Sequence, residues 1–467
     1  MRGKSKKILI GIAVIFVLLI LMYAVSLARS KGRLRAAYAA LEQDGRPMDA
    51  NAVLPPEGPD AQNAAVLYER AVALLKAESV DDKDLLEYLS KRASSFLNDS
   101  VEPDERAEFE RLVQHDVVAE AMSLVAEANQ RPGCRFQHPD QITLDENPPR
   151  AQDVRSLGIV LGVRAYLAAT QGQPREAWKM VAVQLRFAKQ LLNDPAMPGA
   201  MMKLTLIGRA CRVVKKLCEI APPDEAEYQR MESLLRDLDV VEPFVRCVDA
   251  RRLAVGERAF SLPEDELEEV WRRDSWLGGD SDPGIFHRLH FRYMMYRPRF
   301  IAGHADYLEL MRKTVHLLEG PYEPGESAAY QEIRDLAFRY PLTYELGIMG
   351  TWLKQWHCRM AGDVRVTRAG LALLRYQQAH GAFPGTLETL NLEGLVDPYN
   401  EEPLRYRVEG DGFLVYSVGV DLKDNNGLLE QPRRSSDPRA KKKDPEHDRG
   451  WRFDPTPTDA ADEEPEP

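Results

Sequence analysis

The stretch ILIGIAVIFVLLILMYAVSLA, residues 8–28, decides how the rest of the chain is read. It holds no charged residue, and at about 1.5 Å per residue it reaches the roughly 30 Å of a bilayer core. Arg2, Lys4, Lys6 and Lys7 precede it like the basic leader of an export signal, but a cleavable apolar core usually measures only about 7–15 residues. Length favours an uncleaved anchor, although Ser26-Leu27-Ala28 offers a small-x-small cleavage site. Arg29, Lys31, Arg33 and Arg35 nearly balance the leading charges, so the basic-inside rule gives only a lean. The short basic leader sets the expected topology: N-terminus inside, body outside the cytoplasm, in a single-pass inner (cytoplasmic) membrane protein held in the bilayer by residues 8–28.

Beyond the anchor no second apolar run of that length occurs, and the formal charge of the chain is -11. That balance argues against nucleic acid as a partner. With 44% hydrophobic residues the remainder can bury a sizeable core. Cys134, Cys211, Cys218, Cys247 and Cys358 are odd in number and include no C-x-x-C pair, the pattern of small buried hydrophobes rather than of a disulfide or zinc framework.

The fold class expected is mainly α. Residues 1–30 make leader and transmembrane anchor; 31–59 a juxtamembrane helix and a connector stiffened by Pro47, Pro55, Pro56 and Pro59, separating membrane from body. Residues 60–270 form a helical body of antiparallel hairpins, opening with a helix in which Ala64, Leu67, Tyr68, Ala71, Val72, Leu74 and Leu75 recur at helical spacing. Further helices are predicted at 81–97, 103–129, 151–170, 174–192, 199–220, 224–238 and 241–260, between Pro, Gly and Asn/Asp punctuation. The pair around Gly172-Gln173-Pro174 resembles one tetratricopeptide-type hairpin, without a second copy in register. Residues 271–362 hold a Gly- and Asp-rich loop at 274–284 and a second helical region. In it, residues 286–300 interleave Arg288, Arg292, Arg297 and Arg299 with Phe286, Phe291, Tyr293, Tyr296 and Phe300. Such mixing suits a packed interface between domains; a stacking platform for nucleic acid and a helix on lipid headgroups are the alternatives. Residues 363–429 form a small α+β module, and 430–467 a charged tail expected to be disordered.

No catalytic constellation stands out. There is no phosphate loop, nucleophile elbow or dinucleotide fingerprint. His287 and His290 make an H-x-x-H pair, with His304 not far on, which could open a metal site but lacks the glutamate of a zinc protease frame. Glu264, Asp265, Glu266, Glu268 and Glu269 read as a solvated helix face.

The module carries a resemblance. Tyr376…His380-Gly381-x-Phe383-Pro384, Leu387…Leu390, Asp397-Pro398-Tyr399, Pro403-Leu404-x-Tyr406 and Tyr416-Ser417-Val418-Gly419-x-Asp421 follow in an order that resembles the globular head of type II secretion major pseudopilins. The resemblance implies a Ca²⁺ loop after the last motif, with Asp421 and Asp424 as metal ligands; a plain solvated turn is the alternative. It does not extend to the anchor, where Lys6-Lys7-Ile8-Leu9-Ile10 lacks the peptidase site and the helix glutamate of a pilin. The whole layout, with Asn63-Ala64-Ala65-Val66-Leu67-Tyr68 opening the body, is similar to a group of bacterial membrane-anchored helical envelope proteins, which supplies architecture and no activity. The expected function is a non-enzymatic scaffold for an envelope protein partner. Two alternatives stand: a secretion accessory that contacts a pseudopilus, and an enzyme with a motif-less site in the helical body.

Overall fold

The computed structural model describes residues 2–53, 58–98, 101–136, 149–192, 197–274, 291–293, 295–325, 327–340, 343, 350–429 and 448–455. The Gly-rich loop beyond Asp274, the His287/His290 pair, Pro55 and Pro56 lie outside them. Helix α1, Arg2–Gln43, runs unbroken from the apolar stretch into the juxtamembrane segment. Its membrane-type portion is one helix long and apolar enough to span a bilayer, with the side chains from Ile10 to Val25 exposed.

Two features differ from the expected connector. The second half of α1 buries Ala37 and Leu41 against the body, and Val53 packs with Ala250 and Leu253. Apolar contact, with ion pairs described below, draws the described part of the 31–59 segment onto the body rather than leaving it a spacer.

The body stacks helical hairpins. Helix α2 (Ala64–Ala77) packs on α5 (Asp116–Ala128), and α3 (Leu85–Leu97) packs on α6 (Pro149–Thr170). Helices α6, α7 (Pro174–Leu192) and α8 (Met197–Ile220) pack on one another. Gly158 lets α6 approach Leu206 and Phe187 closely, while Gln184 Nε2 donates to the Gly158 carbonyl at 2.7 Å. The Asn-Ala-Ala-x-x-Tyr opening is a structural clasp. Asn63 caps α2 through Ala65 N and exchanges hydrogen bonds with the Arg135 backbone at 3.0 Å, and buried Tyr68 donates to Asn129 at 2.7 Å.

Three predicted helices differ in detail. The 81–97 helix starts at Leu85, because Asp81 and Asp82 take positive φ in a two-residue turn between β1 (Ser79–Val80) and β2 (Lys83–Asp84), and Asp84 caps the helix. The 103–129 helix breaks into α4 (Pro103–Val113) and α5, where the His115 ring accepts from Val117 N. The 241–260 helix contains a π-helical stretch, Arg251–Glu257, between α10 (Glu242–Ala250) and α11 (Arg258–Ser261).

After α9 (Glu225–Arg236) and α12 (Glu264–Asp274) come α13 (Arg297–Glu319), α14 (Ala328–Arg339) and the long α15 (Gly350–His380). Against α15 lies an antiparallel sheet in the order β3 (Arg405–Glu409), β4 (Gly412–Ser417), β5 (Arg449–Phe453). Strand β5 belongs to the stretch expected to be a disordered tail. It is fixed by Trp451 against Gly370, by Arg449 Nη2 on Asp363 at 2.9 Å, and by Lys215 Nζ on the Gly450 carbonyl at 3.0 Å. Its alternating apolar residues, Trp451 and Phe453, stack around Phe413. One buried cluster runs from Ala37 to Phe453, so body and sheet share a core. All five cysteines are buried.

Candidate functional site

Asp421 and Asp424 sit in the loop after β4. Asp424 Oδ1 accepts from Tyr416 OH at 2.9 Å and Asn426 N at 2.8 Å, and Oδ2 lies 3.4 Å from Arg405 Nε. Asp421 Oδ1 accepts from Lys423 N at 3.3 Å. Among the described residues no three His, Cys, Asp or Glu side chains gather at metal-binding distance. Two other aspartates organise this end. Buried Asp397 accepts from Val418 N at 2.7 Å, Ser417 Oγ at 2.9 Å and Tyr399 N at 2.9 Å, joining the Asp-Pro-Tyr turn to the end of β4. Buried Asp448 accepts from Gly427 N at 2.8 Å and Asn425 N at 3.2 Å. Burial raises the Asp448 pKa, the two amides partly offset that, and the charges of Asp424 and Asp421 add to it. The sequence pointed to Asp397 through its turn, but Asp448 stood in the assigned tail, where only the alternation of Trp451 and Phe453 announced a strand.

A second polar constellation among the described residues lies along the seam between α1 and α13. The two helices run parallel: Tyr23 meets Tyr296, Arg33 meets Asp306, Asp44 meets Arg312 and His316, and Arg46 reaches Glu319. Asp306 is 2% exposed and also accepts from Arg339 of α14 at 3.0 Å, so one buried carboxylate gathers cations from two neighbouring helices. Asp44 Oδ2 lies 2.8 Å from His316 Nε2 and 3.1 Å from Arg312 Nη1.

Midway along the seam, Tyr38 OH donates to Glu257 Oε2 at 2.7 Å, and His304 Nε2 lies 3.1 Å from the same oxygen. The His304 ring stacks on Phe260, centroids 4.3 Å apart. Burial pushes the Glu257 carboxyl up, but the bonds from His304 and Tyr38 outweigh it and hold its pKa below the ordinary value. Glu257 ends the π-helical stretch, whose changed repeat turns Arg252 toward Asp249 (3.3 Å) and the Pro47 carbonyl, and leaves the Arg251 carbonyl to Tyr307 OH at 3.3 Å. Gly256 is required there, because a Cβ would collide with Tyr307.

A half-open cavity of about 330 Å³ lies against this stretch, lined in part by Tyr38, Asp49, Arg252 and Glu257. An ionised carboxylate with a lowered pKa is a poor proton donor near neutral pH, so this geometry suits an electrostatic clamp better than general-acid chemistry. The sequence offers Tyr296 only as part of the arginine-aromatic stretch and His304 only as a companion of the H-x-x-H pair; the structure places both on this seam instead. The partners that Arg33, Tyr38 and Arg46 meet lie more than two hundred residues away, with no local spacing to betray them. Comparison with family models, with curated proteins and with solved structures gives no match.

Proposed function

We propose that this chain is a single-pass membrane protein that works as a non-enzymatic scaffold, holding a helical body and its C-terminal α+β module in a fixed orientation at a bilayer surface for a protein partner. The observation that carries the reading is α1: one unbroken helix, apolar and exposed in its first half, docked by Arg33 and Tyr38 in its second and by Asp44 and Arg46 just past its end. A flexible tether would merely localise the body, whereas a continuous helix locked by ion pairs transmits orientation. The basic leader supports the N-terminus in the cytoplasm and the body in the cell envelope.

The reading is tested by fusing a periplasm-active phosphatase after Pro467, which keeps β5, and following activity and product size in alkaline-washed membranes. Activity in a full-length, membrane-retained product supports it; a soluble, shortened product, or fluorescence of a cytoplasmic reporter without phosphatase activity, contradicts it. The order of helix, 3₁₀ turn at Leu387–Leu390, hairpin and loop favours a second reading, an accessory that contacts a pseudopilus through this module. Charge substitutions at exposed Val396, Val408 and Val420 of this module, which spare the shared core, should then impair secretion; unchanged secretion removes that reading.

A further inference from the structure

The described residues around the start of α13 divide into two sets. Phe291 and Pro298 are buried, while Arg292, Tyr293, Tyr296 and Arg297 are exposed, Tyr293 by 57% and Tyr296 by 47%. Packing accounts for the first set alone. The second is organised without being covered: Arg299 lies over the Tyr293 ring at 4.2 Å, donates to its hydroxyl at 3.0 Å, and approaches the Tyr340 ring at 4.9 Å.

Height along α1 explains the arrangement. Tyr296 meets Tyr23, ring centroids 5.8 Å apart and edge-on. Tyr23 lies inside the apolar run, about 7 Å before its end at Ala28 by helical rise. Because α13 runs parallel to α1, its first turn is at the level of the bilayer interface when the apolar run spans, and its last turn points away. Exposed Arg29 and Lys31 of α1 follow about 9 and 12 Å beyond Tyr23 by the same rise, just past the end of the apolar run. Basic residues and tyrosines thus concentrate around the end of that run in a chain that is acidic as a whole, the arrangement that favours anionic headgroups and interfacial aromatic rings.

We propose that exposed Arg292, Tyr293, Tyr296 and Arg297, with Arg29 and Lys31, form a second membrane contact that binds the phosphates of anionic phospholipid headgroups. It rests on the reading of α1 as a membrane span. The contact fixes the body about the α1 axis, which a lone helix leaves free to rotate.

The full chain is reconstituted into phosphatidylcholine vesicles with and without phosphatidylglycerol, carrying the photocrosslinker p-benzoylphenylalanine in place of Tyr293, Tyr296, Phe16 or Val408, one at a time. Phe16 reports on the span, and exposed Val408 on the distant sheet is the background. Lipid adducts are expected at Tyr293, Tyr296 and Phe16 and not at Val408. Yields at the tyrosines should rise with phosphatidylglycerol and fall by about fivefold for each of Arg292→Gln and Arg297→Gln. Adducts at Phe16 with only background at both tyrosines overturn the proposal and leave the anchor standing. Background at Phe16 as well overturns the anchor reading and the proposal together. Equal tyrosine yields in both lipids overturn the role of headgroup charge.

Discussion

Replacing Asp306 with asparagine removes the charge at the centre of the seam while keeping the side chain's size. The carboxylate is 2% exposed and binds Arg33 and Arg339, each 47% exposed at the side chain. A pair exposed on both sides is worth about 0–1 kcal/mol, and breaking a fully buried one costs about 3–5 kcal/mol. Here the anion is buried and both cations can rehydrate when released, which puts the cost at about 1.5–3 kcal/mol. Because α1 buries only Ser30, Ala37 and Leu41 beyond its apolar run, that loss falls on its docking. Undocked, the short amphipathic end is a marginal helix on its own. Amides within residues 33–43 should therefore exchange about 10- to 100-fold faster in Asp306→Asn, read by hydrogen–deuterium exchange with mass spectrometry on the full chain in nanodiscs. Arg33→Gln should reproduce the effect, and Arg246→Gln, which breaks only an exposed pair with Glu242 within α10, should not. Exchange in residues 33–43 unchanged by Asp306→Asn would refute the seam as the element that holds the helix.

Asp397→Ala strips three hydrogen bonds from buried partners and should cost about 2–5 kcal/mol, seen as faster exchange across β3 and β4 with α2 to α5 unaffected. Burial, with Lys354 and Arg365 nearby, pushes the His357 imidazole down to about 3, so the folded chain resists a proton that the unfolded chain accepts near pH 6.5. That stability is complete above the unfolded value and is lost as pH falls, by up to about 1.4 kcal/mol per unit; the slope of melting temperature between pH 7 and 5 should flatten in His357→Gln. Calcium should leave exchange in residues 419–427 unchanged, because Asp424 and Asp448 are already engaged by protein donors; protection by added Ca²⁺ that Asp421→Asn abolishes would establish an ion in this loop.

The parts legible in the sequence are those encoded by neighbours. The run 8–28 announces α1 by hydropathy, the spacing of Ala64, Leu67, Tyr68, Ala71 and Leu75 announces α2, and Pro174 and Gly172 punctuate α6 and α7. What escaped is set by distant partners or by conformations that many residues adopt. Arg252 and Glu257 look like ordinary helix residues, and the π-helical repeat that aims them depends on Tyr307, fifty or more positions away in the chain. Strand β5 escaped because charge and proline dominate the composition around it, while its stability comes from Asp363, Gly370 and Lys215. The connector escaped for the same reason: Pro47 and Val53 read as spacer residues until Arg252, Ala250 and Leu253 are placed beside them.

The most direct test of the central claim, that the body is locked to the membrane-type helix, is the distance distribution between spin labels at exposed Arg35 of α1 and exposed Tyr293 at the start of α13, measured by double electron–electron resonance on the full chain in nanodiscs. A single narrow distribution, broadened by Asp306→Asn, is the expected result. A broad distribution in the unmodified seam, unchanged by that substitution, would mean that α1 is a loose tether and would contradict the account.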